Sequence, residues 1–284
     1  MGEIEVRRVL ASLFVPWMII YNISFVYIGM LLAPGAGLRA FVLITVAFMS
    51  ARLAALIMNR YLGRELDLKN RKKLESDASL AVPKNVMLAS FAILAAVFIF
   101  SAYMLNTLAL ALSPVVILLF IVDPKLKKHS ASRHFSVGAI ESIDVLAGYI
   151  GVAGAFPYSI GPYILVLGMI FIGSGFDILY SIIHMDFDRK HGLKTYPVRY
   201  GARNALRISA ALHYLASAMI LTFAILTGYV IVIIGAVASV VALMSQHVGI
   251  DPDDDIGVSR RINVYNAMLA AILLVSVALA KFAA

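Results

Sequence analysis

Nine runs of about twenty mainly apolar residues constrain this chain more than any other feature. A bilayer core about 30 Å thick is crossed by a helix of roughly 20 such residues. The composition agrees, because 62% of the 284 residues are apolar and 14% are charged, against roughly 45–50% and about 25% in soluble domains. We therefore predict an all-α polytopic membrane protein with one domain over residues 1–284. Its nine spans are expected at approximately 9–33, 37–58, 82–104, 106–122, 135–156, 159–183, 204–227, 229–246 and 262–280.

The lysines and arginines fall on one side of this nine-span topology. If the N-terminus is cytoplasmic, all 24 of them except Arg39, Arg52 and Lys281 lie at the cytoplasmic face, as the positive-inside rule requires. We therefore predict an integral protein of a prokaryotic cell membrane, with an external C-terminus and its chemistry on a cytoplasmic cap of loops. The long polar loops that form this cap are 59–81, 123–134, 184–203 and 247–261.

The net charge of +8 and the absence of cysteine narrow the chemistry further. The basic residues occupy short breaks between apolar runs, so topology explains them better than nucleic-acid binding does. Without cysteine the chain has no disulfide, no thiolate metal site and no catalytic thiol. Membrane lipid, and no nucleic acid, is the expected partner.

Two polar segments, after spans two and six, carry the candidate functional residues. If each span continues as a helix into the cytoplasm, residues three or four apart share a face. The aligned residues are Asn59, Gly63 and Asp67 in the first segment, and Asp177, Tyr180, His184 and Asp188 in the second. Oxygen-bearing faces that converge at one depth suit a magnesium-bridged diphosphate, because Mg²⁺ favours carboxylates plus substrate phosphates. Neighbouring arginines and lysines would contact the phosphate oxygens.

The residues of both segments resemble the UbiA superfamily of intramembrane aromatic prenyltransferases, and the resemblance extends over nearly the whole chain. GFDILY at 175–180, FDRKHGL at 187–193 and PVRYG at 197–201 are similar to the second signature of the 4-hydroxybenzoate polyprenyltransferase branch. The residues similar to the first signature are Arg52, Asn59, Arg60, Asp67 and Asn70. The resemblance implies nine helices around a central, lipid-open cavity. There a prenyl diphosphate would bind through Mg²⁺ and alkylate a small aromatic acceptor, as in quinone biosynthesis.

Roles for individual side chains are expected from this resemblance. The expected magnesium ligands are Asp67, Asp177 and Asp188. The expected phosphate contacts are Arg60, Arg64, Lys127, Lys128, Arg189 and Lys194, with Asn59 and Tyr180 orienting these groups. Asp186 or Asp144 is expected to activate the acceptor, and the sequence does not rank the two.

The chain departs from the family pattern at two motif positions. Gly63 and His184 stand where the family has aspartate, so one carboxylate is missing from each motif. A second departure lies in the first span, where Trp17, Met18 and Ile19 replace polar residues on the acceptor side. The acceptor is therefore not fixed by the resemblance, and a lipid-diphosphate-binding relative without catalysis stays an alternative.

Glu141 and Asp144 are three residues apart within span five. Ionisable groups at membrane depth are costly to bury and are functional candidates by default. They line the polar end of the substrate cavity, form an internal ion pair with Arg52, or lie near the boundary of the membrane with water. A transporter is a further alternative, but it would often show symmetric repeats and interrupted helices around a midplane site. The one-sided clustering of polar residues favours the enzyme.

Overall fold

The computed structural model describes residues 16–70, 73–74, 77–126, 132–251 and 254–283. All regular elements in these ranges are helices. The long helices are α1 (Pro16–Leu32), α2 (Leu38–Asp67), α3 (Lys84–Leu105), α4 (Thr107–Leu126), α5 (Arg133–Ala153), α6 (Gly161–Ile182), α9 (Ala202–Thr227), α10 (Val230–Ser245) and α11 (Asp255–Ala283). The short ones are α7 (Met185–Lys190), α8 (Tyr196–Tyr200) and a 3₁₀ turn at Ala78–Ala81.

Seven of the long helices are long and apolar enough to cross a membrane. The other two, α1 and α10, are apolar but have only 17 and 16 described residues. The nine helices coincide with the nine predicted apolar segments, so the prediction of an all-α integral membrane protein is confirmed.

Two helices extend beyond their apolar stretches into the predicted polar loops. The loop at 59–81 begins with the last turns of α2, as expected if span two continues as a helix. The predicted loop at 247–261 ends early, because α11 begins at Asp255 and contains Arg260 and Arg261. Asp254 caps this start: its Oδ1 accepts a hydrogen bond from the Gly257 amide at 2.9 Å. Hydropathy marks where a helix enters lipid, whereas capping marks where the helix begins.

Close glycine contacts hold the centre of the bundle together. Gly148 of α5 lies against the backbone of Val26 and Met30 in α1, and Gly29 of α1 lies against Val145. Nearer the start of α5, Gly138 meets Gly173 of α6. Small residues allow such close backbone approach between helices in a membrane. The large apolar core therefore joins α1, α5 and α6 to the C-terminal helices α9 to α11.

A buried polar cluster joins the end of α10 to the middle of α9. His213 is fully buried, and its Nδ1 lies 2.7 Å from His247 Nε2. Burial lowers the pKa of His247 to about 4, so its ring is neutral at pH 7. Gln246 completes the cluster, donating from Nε2 to the Leu243 carbonyl at 2.9 Å. These side chains lie outside the lining of the cavity described below and connect helices rather than forming part of that site.

Candidate active site

A cavity of about 340 Å³ lies between α1, α2, α3, α4 and α5. Its walls are almost entirely apolar, with side chains such as Phe48, Phe98 and Leu112. The charged residues in its lining are Arg52, Glu141 and Asp144. Among the lining residues of α2 and α5, these three lie on the side of the polar segments, although each is near the middle of its own helix. The cavity thus has a long apolar part and a charged end that is still within the helix bundle.

Asn22 and Asp144 join α1 to α5 at this polar end. The Asn22 Nδ2 donates to Asp144 Oδ2 at 2.9 Å. Glu141 lies one helical turn before Asp144, so the two carboxyl groups line the same cavity, as their spacing predicts. Glu141 Oε2 is buried against α6, where a Cβ added at Gly173 would lie 3.1 Å from it. Glu141 Oε2 has no hydrogen-bond partner among the described residues.

Arg52 lines the same cavity but forms no salt bridge with either carboxylate. Within the described part of the chain, no nitrogen of Arg52 lies within 4.0 Å of a Glu141 or Asp144 oxygen. Its Nη2 instead lies 3.8 Å from Met18 Sδ. The internal ion pair considered from the sequence is therefore absent as a direct contact.

The first polar segment is helical as far as Asp67, which confirms the predicted continuation of span two. A Cβ added at Gly63 would lie 3.2 Å from Asp67 Oδ2, so these two positions share a face. Asp67 is buried, and its Oδ1 accepts a hydrogen bond from Lys73 Nζ at 2.6 Å. Asn59, two turns earlier, is exposed. The segment therefore presents one buried carboxylate, and this carboxylate is already paired with a lysine.

Two arginines of α2 bind the chain that follows the helix. Arg60 Nε donates to Asp77 Oδ2 at 2.7 Å, in a pair whose side chains are each 14% exposed. Arg64 Nη1 donates to the Val82 carbonyl at 2.7 Å. Asp77 also accepts from the Ser79 hydroxyl at 2.5 Å. Both predicted phosphate contacts thus hold the connection between α2 and α3 in this structure.

The second polar segment is not one continuous helix, so the predicted single face from Asp177 to Asp188 is wrong. Helix α6 ends at Ile182, and α7 begins at Met185. Between them His184 adopts φ −107° and ψ 9°, in the bridge region between helical and extended backbone. The chain therefore turns before Asp188. The rings of Tyr180 and His184 pack edge to face across this corner, with their centroids 5.6 Å apart.

Asp177 connects three parts of the polar surface. Its Oδ2 lies 2.6 Å from His134 Nδ1 and 3.5 Å from Arg133 Nη1. His134 Nε2 accepts the Tyr196 amide hydrogen at 3.3 Å, so its proton is on Nδ1, from which it donates to Asp177. These bonds join α5, α6 and the start of α8. The contacts suit an organising role for Asp177 better than that of a freely accessible metal ligand.

The remaining predicted site residues differ in their exposure. Asp188 is 3% exposed, whereas the side chain of Asp186 is 91% exposed and pairs with Arg189 at 3.2 Å. Lys194 is exposed, and Tyr180 is 42% exposed. Lys127 and Lys128 lie outside the described residues.

The donor chemistry of the two segments fits magnesium when a substrate supplies most of the oxygens. Among the described residues, no three His, Asp or Glu side chains are grouped so that they could hold a metal by themselves. Mg²⁺ commonly binds one or two carboxylates together with substrate phosphates and water. Each segment contributes one buried carboxylate, Asp67 in the first and Asp188 in the second.

Four contact residues of this region were not singled out from the sequence: Asn22, Lys73, Asp77 and His134. Asn22 had a usable signal, because a polar amide within an otherwise apolar span is costly to bury. Lys73, Asp77 and His134 lie among many charged and polar residues near the membrane surface. Only the folded chain shows which of these meet Asp67, Arg60 and Asp177.

Comparisons with known proteins agree with this architecture. The model of the UbiA prenyltransferase family matches residues 22–268. The chain is 26% identical over 165 residues to 4-hydroxybenzoate octaprenyltransferase of Shewanella pealeana, covering 58% of this chain and 57% of that relative. It is 27% identical over 175 residues to the protein of the same name from Shewanella halifaxensis, covering 61% and 60%. The chain thus matches about three fifths of the length of these curated relatives.

Solved structures show the same fold. A UbiA homolog from Aeropyrum pernix K1 superposes with a TM-score of 0.81 at 24% identity, covering 93% of this chain and 98% of that one. A UbiA homolog from Archaeoglobus fulgidus, solved with GPP and Mg²⁺, superposes with a TM-score of 0.71 at 16% identity. That match covers 96% of this chain and 99% of the other.

Proposed function

Because the chain belongs to the UbiA prenyltransferase family, we propose that it transfers an isoprenoid chain from a prenyl diphosphate to a small aromatic acceptor. The acceptor class is that of 4-hydroxybenzoate, and the role is in quinone biosynthesis. The observation that carries this proposal is the cavity, which is apolar along its length and has its charged lining residues at the end next to the polar segments. Such apolar walls match the long hydrocarbon tail of a prenyl diphosphate, whose anionic head would lie beyond this lining, toward the polar segments.

We propose that the diphosphate binds at the polar surface formed by the end of α2 and the segment from α6 to α8. Asp67 and Asp188 would hold Mg²⁺, which would neutralise diphosphate charge and favour the departure of this group. Lys73 Nζ lies 2.6 Å from Asp67 Oδ1 and orients this carboxylate. Arg60 and Arg64 hold the connection after α2 against the helix, next to the place assigned to the phosphates. A homolog of the same fold from A. fulgidus was solved with GPP and Mg²⁺, which supports a prenyl diphosphate and Mg²⁺ as the ligands of this chain.

The transfer breaks the carbon–oxygen bond between the isoprenoid and the diphosphate and forms a carbon–carbon bond to the ring. The ring then loses one proton to a base. The apolar walls, including Phe48 and Phe98, hold the hydrocarbon chain and exclude water that would otherwise capture the allylic cation. We place this polar surface, with the N-terminus, on the cytoplasmic side, because the basic residues cluster there.

Binding of a lipid diphosphate without transfer is the second candidate function. The observation that favours it is that two expected metal ligands are already engaged, since Asp67 pairs with Lys73, and Asp177 accepts hydrogen bonds from His134 and Arg133. In this case the same surface would hold the headgroup, but the leaving group would not be activated.

A transfer assay separates the two functions. The full chain is purified in detergent and incubated with radiolabelled geranyl diphosphate, 4-hydroxybenzoate and Mg²⁺, with and without EDTA. We expect a prenylated aromatic product that EDTA abolishes and that Asp67→Asn reduces at least about tenfold, the cost of a lost charged contact. Glu65→Gln is the matched control, because Glu65 lies on the same helix with its side chain 89% exposed. Diphosphate binding by calorimetry without any product would support the second function, and absence of both would refute both.

A further inference from the structure

A second cavity, of about 390 Å³, lies at the end of the bundle opposite to the polar segments. It is enclosed by the end of α1, the start of α6, the end of α9, the start of α10 and the end of α11. The second polar segment follows the end of α6, so the start of α6 lies at the other membrane face. The linings of the two cavities share only α1. Ligand sites typically measure about 300–1,000 Å³, so the second cavity is large enough to hold a ligand of its own.

The second cavity has a buried apolar floor and an exposed rim. Phe223, Val232 and Val277 form the floor and are all buried. Ile160 and Leu226 are on the rim and are exposed. Phe223 lies four residues before the end of α9 and Val277 six before the end of α11, which is about 6–9 Å deeper than these ends at 1.5 Å per residue. The rim is therefore near the level of lipid headgroups, and the floor is at the level of acyl chains.

Lys281 supplies the charge of the second cavity. Among the described lining residues it alone has a charged side chain, and it forms no salt bridge within the described part of the chain. Lys281 follows Val277 by four residues in α11, so the two side chains share a helical face, with the cation nearer the rim. Ser159 and Tyr229, also exposed lining residues, carry hydroxyl groups that can donate hydrogen bonds. The cavity thus offers a cation and donors above an apolar floor.

This arrangement is complementary to an amphiphile with an anionic head. Cationic pockets between transmembrane helices bind anionic lipid headgroups, and apolar walls bind hydrocarbon chains. A zwitterionic phospholipid carries its own cation beside the phosphate, and this cation competes with Lys281. Inorganic phosphate has no chain to cover the floor. Of these three ligands, a phospholipid with a net negative charge matches both parts of the cavity.

We propose that the second cavity binds an anionic phospholipid, with its phosphate beside Lys281 and one acyl chain against Phe223, Val232 and Val277. The bound lipid contacts α1 and α6 as well as the three C-terminal helices, so it stabilises the folded chain by mass action. The proposal does not depend on prenyl transfer, because these residues lie outside the first cavity and outside both polar segments.

Native mass spectrometry of the full chain, released from detergent, measures its affinity for phosphatidylglycerol, phosphatidylcholine and inorganic phosphate. We expect the tightest binding for phosphatidylglycerol. Lys281→Gln should weaken this binding about five- to tenfold, the effect of losing one basic residue or one charge-assisted hydrogen bond, whereas Lys281→Arg should retain most of it. Gly161→Leu should also weaken it, because the new side chain enters the cavity above Phe223, whose Cδ2 lies 3.8 Å from the position of a Cβ.

Arg39→Gln is the matched control. Arg39 is predicted at the same membrane face as Lys281, but it lies outside the lining and donates to the Met104 carbonyl at 2.9 Å. Its loss should leave the affinity unchanged, and circular dichroism checks that each variant is folded. Equal affinity of the wild-type protein and Lys281→Gln, or an equal loss in Arg39→Gln, would overturn the lipid site, since the attraction would then belong to the surface in general. Phosphatidylcholine or inorganic phosphate binding as tightly as phosphatidylglycerol would overturn it as well.

Discussion

The crossing of α1 and α5 can be tested by adding one methyl group at Gly148. A Cβ at this position would lie 2.9 Å from both the Val26 carbonyl carbon and the Met30 amide nitrogen, and closer still to the Val26 oxygen. Ordinary Cβ contacts begin near 3.4 Å. In a close-packed interior, Gly148→Ala must therefore separate the two helices by at least about 0.5 Å. The atoms in the way belong to backbone, which cannot swing aside.

The expected cost follows from two opposing effects. Overpacking a well-filled interface costs about 1–3 kcal/mol and occasionally more. Alanine in place of glycine within a helix stabilises the helix by up to about 1 kcal/mol. The net expectation is a loss of up to about 2 kcal/mol in unfolding free energy, the difference of those two terms. The Asn22–Asp144 hydrogen bond of 2.9 Å crosses the same interface, so the polar end of the cavity should also be disturbed.

Unfolding of the detergent-solubilised protein, followed by circular dichroism, measures this cost. Gly161→Ala is the matched control, since a Cβ there would meet only Phe223 Cδ2 at 3.8 Å, an ordinary contact. We expect Gly161→Ala to leave the unfolding midpoint unchanged or raise it, while Gly148→Ala lowers it. Equal midpoints for the two variants would refute the close approach of α1 and α5.

Three further predictions concern the polar surface. Asp188→Ala should abolish Mg²⁺-dependent binding of a prenyl diphosphate analogue in calorimetry, whereas Glu65→Ala, exposed on α2, should retain it; equal losses would contradict the site. Gly63→Asp should tighten Mg²⁺ binding in the same assay, because it adds a hard oxygen ligand beside Asp67, and an unchanged affinity in a folded variant would show that Gly63 is not a ligand position. Single cysteines at Glu65 and Lys190 should both react with a membrane-impermeant thiol reagent from the cytoplasmic side only; labelling from opposite sides would end the proposed topology.

The positions of the helices could be predicted from the sequence more fully than the residues at which they end. The nine apolar segments required no knowledge of packing, because the membrane imposes a length and an apolar composition on each span. The spacing of Glu141 and Asp144 also placed both in the cavity lining, since residues one turn apart share a face. Helix ends were less accessible. The extension of α2 to Asp67 followed a regular pattern, but the turn at His184 did not, because the sequence around it contains no proline or glycine to interrupt the helix.

The sequence by itself determined that this is an integral membrane protein, that it is all-helical and which family it belongs to. These properties depend on composition, on the length of apolar runs and on motifs contiguous in the chain. Only the tertiary structure decided which polar side chains contact one another. Asp177 and His134 are 43 residues apart, and Asn22 and Asp144 are 122 apart. Hydrogen bonds act over about 3 Å, so their partners depend on how helices cross and not on the order of residues. The glycine contacts that set the α1–α5 crossing thereby also determine the shape and the polar end of the cavity.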